Sequence, residues 1–168
     1  MEKLNFKTTI KATPEKVWKV LWDDASCRSC TSAFAGGSYV QTDWKEGSKV
    51  LFLDGEGRGM VSRIAALRPN EYMSFEHLGE VNNGVEDTTS EKVKQWAGAH
   101  ENYFLRKQNG NTELSIEMDI NEEYKDMFAE MWPRALENVK KLSENYERSA
   151  TKRHLPANRK LKTPLTNK

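Results

Sequence analysis

The clearest pattern in the chain is a stripe of apolar side chains near its C-terminus, over residues 122–148. The pattern predicts one long amphipathic helix, which Pro133 should kink or restart near Trp132 because proline lacks an amide hydrogen. A helix of this kind buries its stripe against another apolar surface of the fold. The stripe recurs at steps of three and four residues and consists of Tyr124, Phe128, Met131, Ala135, Val139, Leu142 and Tyr146.

Most of the chain before this helix predicts strands. Apolar and polar residues alternate over 4–10 and again over 114–120, so each of these strands has one buried face and one solvent face. The patterns predict an α+β fold, in which a curved antiparallel sheet of about six or seven strands wraps around the long C-terminal helix. The other strand candidates lie at 39–43, 48–54, 59–67, 72–78 and 96–108, and an Asn-Gly turn joins the last of them to a strand at 112–120.

Two segments interrupt this series of strands. Thr13 and Pro14 have the order of a helix N-cap and a first helical residue, which predicts a short helix after the first strand. The polar stretch 79–95 predicts a long loop, in which Ser90 and Glu91 can start a single helical turn. Long loops in compact domains often serve binding sites, so this loop is a candidate lid, with a plain surface excursion as the alternative.

Length and charge divide the chain into one folded domain, residues 1–147, and a basic tail, residues 148–168. The tail carries seven Lys or Arg and no acid, which leaves 19 basic against 25 acidic residues, a net charge of −6, in the domain. An acidic domain argues against nucleic-acid binding through the folded part. The tail composition predicts a flexible extension, and an acidic partner for it is the alternative.

The predictions for cellular location and cofactors depend on sequence features that are not found, namely membrane spans, a signal peptide and metal-binding or redox motifs. No apolar run is long enough to span a bilayer, and the N-terminus lacks the apolar block of a signal peptide, which favours a cytoplasmic protein. Cys27 and Cys30 are the only cysteines, too few for a disulfide scaffold and without the further ligands that a zinc site needs. A redox motif of this spacing would follow a strand, so the spacing is interpreted as accidental and neither metal nor cofactor is predicted.

The candidate chemistry lies on two neighbouring strands. Strand periodicity places Phe75 and His77 on one face of the first strand, and Glu101 and Tyr103 on one face of the second. If both faces point inward, a titratable pair lies among apolar side chains, where it can orient a polar ligand group or move a proton. The alternative is that an edge or bulge at Gly98 turns Glu101 outward into solvent.

Large apolar side chains complete the predicted ligand-binding cavity. Aromatic and methionine side chains shape irregular pockets, although most such residues are simply part of the core, which is the alternative for each of them. No catalytic residue is assigned. The predicted cavity residues are Phe52, Met60, Phe75, His77, Glu101, Tyr103, Phe128, Met131 and Trp132.

Several short segments, in order along the chain, resemble the SRPBCC superfamily and, within it, the activator of heat-shock protein 90 ATPase homologue family. They are ATPEKVW at 12–18, DWKEGSKVLF at 43–52, RPNEYMSFE at 68–76, WAGAHENYFL at 96–105 and the final helix with Trp132. The resemblance covers about residues 4–147 and includes no catalytic signature. It implies a helix-grip fold, whose cavity between sheet and helix relatives use for lipids, hormones, polyketides or other apolar ligands.

Three functions are compatible with these observations. The first is an intracellular binding protein that holds a small, largely apolar molecule in the cavity between the sheet and the C-terminal helix. The second, implied by the resemblance, is an interaction module that contacts a chaperone or another protein through its outer surface. The third is a cofactor-free cyclase, isomerase or hydrolase that uses Glu101 and His77 as acid and base.

Overall fold

The computed structural model describes residues 1–23, 26–27 and 37–146 of the 168-residue chain. The tail 148–168 and Cys30 lie outside these ranges, so the predictions for both remain predictions. Three helices lie wholly within the described ranges: α1 (Pro14–Trp22), α2 (Glu91–Lys94) and α3 (Lys125–Glu144), the last preceded by a 3₁₀ turn at Glu122–Tyr124. The strands are β1 (Glu2–Ile10), β2 (Tyr39–Gln41), β3 (Lys49–Leu53), β4 (Arg58–Arg68), β5 (Tyr72–Asn82), β6 (Val85–Asp87), β7 (Ala99–Gln108) and β8 (Asn111–Ile120).

All eight strands join one antiparallel sheet. Their order is β1-β8-β7-β5-β4-β3-β2, and the short β6 pairs with the far end of β5. Burial alternates residue by residue along β1 and β8, as the sequence predicts. The fold is the predicted α+β arrangement of an antiparallel sheet gripping a C-terminal helix, with β6 as one strand more than the seven predicted segments.

The first helix begins where its sequence predicts. The Thr13 side chain accepts a hydrogen bond from the amide of Lys16, and Pro14 is the first helical residue. Val17 and Val20 are fully buried, and the helix packs against α3, β7 and β8. Each such fully buried side chain contributes roughly 1.5–3 kcal/mol of burial free energy, which anchors the helix at the end of the sheet.

One core cluster joins the inner face of the sheet to α1 and α3. The buried face of α3 is wider than the predicted stripe, because Trp132 and Leu136 are buried beside Ala135 and Val139, and Phe128 and Leu142 pack against the core. Tyr124 is the exception, at 41% exposed. Tyr124 belongs to the 3₁₀ turn before the helix, where the 3.6-residue period does not apply. The predicted restart is wrong, since α3 runs through Pro133 as one helix.

The segment 79–95 is more ordered than the long loop predicted for it. β5 continues to Asn82, an Asn83-Gly84 turn with positive φ at both residues reverses the chain, and β6 pairs back onto β5. Gly79 permits this pairing, since a Cβ there would collide with the Asp87 carbonyl. The helical turn is present as predicted, with Ser90 as the N-cap of α2. The prediction failed because these residues are polar and lack an apolar period.

Among the described residues, no helix has the length and apolar character needed to cross a membrane. The strand order places β4, β5 and β7 side by side. The candidate chemistry lies on the inner face of these three strands.

Candidate functional site

Four polar side chains form a hydrogen-bonded row inside the fold, on the inner face of β4, β5 and β7. Ser62 Oγ and His77 Nδ1 lie 2.6 Å apart, and His77 Nε2 lies 3.0 Å from Glu101 Oε2. The Tyr103 hydroxyl donates to the other carboxylate oxygen, Glu101 Oε1, at 2.6 Å. We call Ser62, His77, Glu101 and Tyr103 the inner quartet. Their exposed fractions are 0%, 5%, 8% and 7%, so the row is almost fully removed from solvent.

Strand register explains how the inner quartet assembles. A shift in the β4–β5 pairing between Val61 and Ser62 places Ser62 directly across from His77. On the other side of β5, His77 pairs with Ala99 of β7, so Glu101 is its diagonal neighbour on the same face. Tyr103 follows Glu101 by two residues, which keeps it on that face. The inward orientation of His77 and Glu101 therefore follows from the two strand periods.

The tautomer of His77 is assigned from its partners. An ionised Glu101 only accepts hydrogen bonds, so it pairs with a hydrogen carried on His77 Nε2. In a neutral ring Nδ1 then accepts from the Ser62 hydroxyl. Each polar atom of the row has a partner, which is what a buried polar group requires for its desolvation to be offset.

The row resembles a hydrolytic triad in composition but differs from it in geometry. In such triads the serine pairs with Nε2 of the histidine and the carboxylate with Nδ1, whereas here the two nitrogens are exchanged. Ser62 is also fully buried, so its hydroxyl has no access to a substrate carbonyl. Ser62 is a positioning group for His77, and the geometry does not support hydrolysis through a serine nucleophile.

Aromatic rings surround the inner quartet. Phe52 lies edge-on to both His77, at 5.8 Å between ring centroids, and Phe75, at 5.1 Å. Tyr103 contacts Trp132 of α3 at 6.1 Å and Trp22 of α1 at 4.9 Å. We call Trp22, Phe52, Phe75 and Trp132 the aromatic wall. It joins the sheet to both helices, as expected if the polar row faces an apolar interior.

Two tryptophans of this region were not predicted as site residues. Trp22 extends the wall to Trp44, whose ring centroid lies 5.5 Å away. Trp44 has a φ of 59°, a left-handed conformation that is uncommon for a bulky residue and is held here by the surrounding packing. Among the described residues, Trp22 Nε1 is buried without a hydrogen-bond partner. The sequence predicts the short helix that carries Trp22, and only the fold brings the residue to Tyr103.

The predicted cavity residues fall into two groups. Ring contacts or hydrogen bonds link six of them into one network: Phe52, Phe75, His77, Glu101, Tyr103 and Trp132. Phe128 packs on the main core, Met60 is the cross-strand partner of Phe52, and Met131 is half-buried on α3. Their contact with a ligand remains a prediction, and Ser62 is the member of the row that the sequence did not nominate.

A separate surface pocket of about 330 Å³ lies across β1, β8 and β7, lined by Asn5, Phe6, Lys7, Phe104, Ser115, Ile116 and Glu117. It includes none of the predicted cavity residues. Its lining is mostly from the solvent-facing positions of these strands, and it lacks a hydrogen-bonded polar row of the kind described above. We therefore place the candidate site at the inner quartet.

Cys27 is buried, and its predicted lack of a special role remains a prediction.

An antiparallel sheet that grips a C-terminal helix defines the helix-grip class of folds, and this chain has that arrangement. No protein-family profile and no curated protein matches the chain. Solved structures do match it. The Aha1 dimer from Colwellia psychrerythraea, solved in solution, has a TM-score of 0.65 and 18% identity, with 86% of this chain and 97% of that chain covered.

Two further structures show the same likeness. The AHSA1-like protein from Aeromonas hydrophila has a TM-score of 0.62 and 14% identity, with 94% of this chain and 100% of that chain covered. CalU16 from Micromonospora echinospora has a TM-score of 0.54 and 15% identity over 82% and 71% of the two chains. At these identities the likeness concerns the fold. The helix-grip fold implied by the SRPBCC and Aha1-like resemblance is confirmed.

Proposed function

We propose that the protein binds a small, largely apolar molecule between the sheet and α3, and that the inner quartet orients one polar group of that molecule. The observation that carries the proposal is the buried His77–Glu101 contact within the aromatic wall. A buried carboxylate–imidazole contact adds little stability compared with apolar residues of the same volume, so its presence in this interior favours a role in recognition. A cytoplasmic location is part of the proposal.

The two parts of the site supply different terms of the binding free energy. Apolar burial against the aromatic wall contributes about 25 cal/mol per Å² of ligand surface, before the costs of association and ordering. The inner quartet sets the orientation of the ligand, because its hydrogen-bonding atoms are held by partners on three adjacent strands. Preorganised polar atoms of this kind distinguish one ligand orientation from another.

Native mass spectrometry of the freshly purified full chain tests the proposal. We expect a bound small molecule that organic extraction releases, and we expect Glu101→Gln to retain less of it. Glu76→Gln is the matched control, because Glu76 lies next to His77 on the solvent face of β5, where it pairs with Arg63. Protein that carries no bound molecule and also fails to take up the neutral probe Nile red would contradict the proposal.

The same contact favours a second candidate, a cofactor-free enzyme that moves a proton. A carboxylate and an imidazole 3.0 Å apart form an acid–base pair beside an apolar site. In that case His77→Gln would abolish turnover of a bound compound while leaving its affinity within about threefold, since the wall that supplies most of the affinity is unchanged. Turnover that survives His77→Gln would contradict this candidate.

A third candidate is an interaction module for a chaperone or another protein. The observation that favours it is the exposure of two large apolar side chains, Tyr124 in the 3₁₀ turn before α3 (41%) and Met127 in the first turn of α3 (43%). The fold is also similar to that of the Aha1 protein from Colwellia psychrerythraea. A double Tyr124→Ser and Met127→Ser variant should lose partner capture and keep Nile red binding, because neither residue belongs to the inner quartet or the aromatic wall. Partner capture that survives the double change would contradict this candidate.

A further inference from the structure

We infer that the bound molecule presents a neutral hydroxyl group to Glu101, and that the site rejects a carboxylate in the same position. The inference rests on the proposed function, because it names the ligand class for the same site. It follows from three observations: the hydrogen-bonding capacity left on Glu101, the charges around it, and the indole nitrogen of Trp22.

The Glu101 carboxylate can accept further hydrogen bonds, but it has no hydrogen to donate. Each of its oxygens has one partner, His77 Nε2 for Oε2 and the Tyr103 hydroxyl for Oε1. A carboxylate has about four lone-pair sites, so about two remain to accept further hydrogen bonds. The His77 ring has no spare atom, since Nδ1 is engaged with Ser62. A ligand group that meets this row must therefore bring a hydrogen of its own.

The charges around Glu101 disfavour an anion. Among the described residues, no lysine or arginine forms an ion pair with Glu101, and His77 is its only basic partner. With Glu101 ionised, the pair carries a charge of −1 when the ring is neutral and zero when it is protonated, so it offers an anion no net positive charge. A ligand carboxylate would lie beside Glu101 in an apolar surrounding, where repulsion between like charges is strong and no lysine or arginine of the described ranges is paired with Glu101 to offset it.

Trp22 adds a hydrogen-bond donor to the same region. Its ring lies 4.9 Å from that of Tyr103 and 5.4 Å from that of Phe75, and within the described ranges its buried Nε1 has no partner. An indole nitrogen only donates, so a ligand atom that satisfies it must accept. A hydroxyl group both donates and accepts, and thus has the chemistry for Glu101 and Trp22, whereas a protonated amine only donates.

Isothermal titration calorimetry of the full chain with three matched compounds tests the inference. The compounds are 2-naphthalenemethanol, its methyl ether, which lacks the hydroxyl hydrogen, and 2-naphthoate, which carries a carboxylate. We expect the alcohol to bind at least about tenfold more tightly than the carboxylate and also about tenfold more tightly than the ether, the loss expected for one hydrogen bond to a charged acceptor. Glu101→Gln should reduce the alcohol-to-carboxylate ratio to about threefold or less, and Glu76→Gln should preserve it.

The outcomes separate the inference from the proposed function. Equal affinity for all three compounds would overturn the inference and leave ligand binding intact. If none of the three compounds binds, the inference is overturned. If the protein also takes up no Nile red, the proposed function is overturned as well. A carboxylate that binds most tightly would also overturn the inference. If Glu101→Gln does not fold, as judged by circular dichroism and cooperative unfolding, the comparison of the three compounds on the unchanged protein still decides the matter.

Discussion

The sheet carries two serine–histidine pairs on opposite faces, and they differ in almost everything except residue type. On the inner face Ser62 and His77 lie 2.6 Å apart, and Glu101 completes the row inside the aromatic wall. On the outer face Ser74 Oγ lies 3.3 Å from His100 Nδ1 and donates to the amide oxygen of Asn102 at 2.6 Å. We call Ser74, His100 and Asn102 the outer trio.

The difference between the two groups lies in their surroundings. The imidazole of the outer trio is half-buried, so water can replace a hydrogen bond that a mutation removes. The inner quartet has no such replacement, and its members depend on one another. A serine–histidine pair therefore belongs to a partly exposed network on one face, where only Ser74 is buried, and to a candidate recognition site on the other. Enclosure by aromatic rings, more than residue type, marks the site.

The largest expected effect on this comparison comes from removing the carboxylate of the inner quartet. Glu101→Ala leaves His77 Nε2 and the Tyr103 hydroxyl buried without their acceptor, so we expect the free energy of unfolding to fall by about 3 kcal/mol. Asn102→Ala in the outer trio should lower it by less than about 1 kcal/mol. Urea unfolding of the two variants beside the unchanged protein measures both values. Equal decreases in the free energy of unfolding would show that the inner quartet is no more dependent on its hydrogen bonds than the outer trio.

A smaller effect is expected at the two serines. Ser62→Ala removes the partner of His77 Nδ1 in a fully buried position, which should lower the free energy of unfolding by about 1–3 kcal/mol. Ser74→Ala should lower it by roughly 0.5–1 kcal/mol, because its histidine partner retains access to water. The same unfolding assay applies. A Ser74→Ala loss that exceeds the Ser62→Ala loss would reverse the comparison.

The smallest effect is expected at an exposed carboxylate, which serves as the reference for Glu101. Hydrogen bonds from the Ser90 side chain and amide, then from the Thr89 amide, lower the pKa of Asp87. A lowered folded-state pKa stabilises the fold above the unfolded-state pKa, and this contribution is lost as pH falls through the folded-state pKa. Asp87→Asn should thus lower stability slightly at neutral pH, and the difference should disappear in strong acid. A difference that persists unchanged in acid would contradict this assignment.

Much of the candidate site was predictable because strands have an exact period of two. That period placed Phe75 with His77 and Glu101 with Tyr103, and the structure brings all four together. Ser62 was not predictable, because its position opposite His77 depends on the register shift in the β4–β5 pairing. Trp22 was predicted only as part of α1, since periodicity within a helix does not tell which strand the helix meets.

The fold shows the same division between local and non-local information. The start of α1 and the Asn109-Gly110 hairpin follow from local residue chemistry, and both are present. The strand β6 was missed because pairing with β5, and not its own polar sequence, holds it in place. The predicted stripe of the C-terminal helix fails at its first position, because Tyr124 lies in the 3₁₀ turn before the helix.

Histidine ring signals in the nuclear magnetic resonance spectrum test the central claim most directly, because the two faces each carry one histidine, His77 and His100, of the three in the chain. The account predicts that 2-naphthalenemethanol shifts the ring signals of His77 and leaves those of His100 in place. Ligand binding that moves only His100, or that moves neither ring, would contradict the claim that the inner quartet is the binding site.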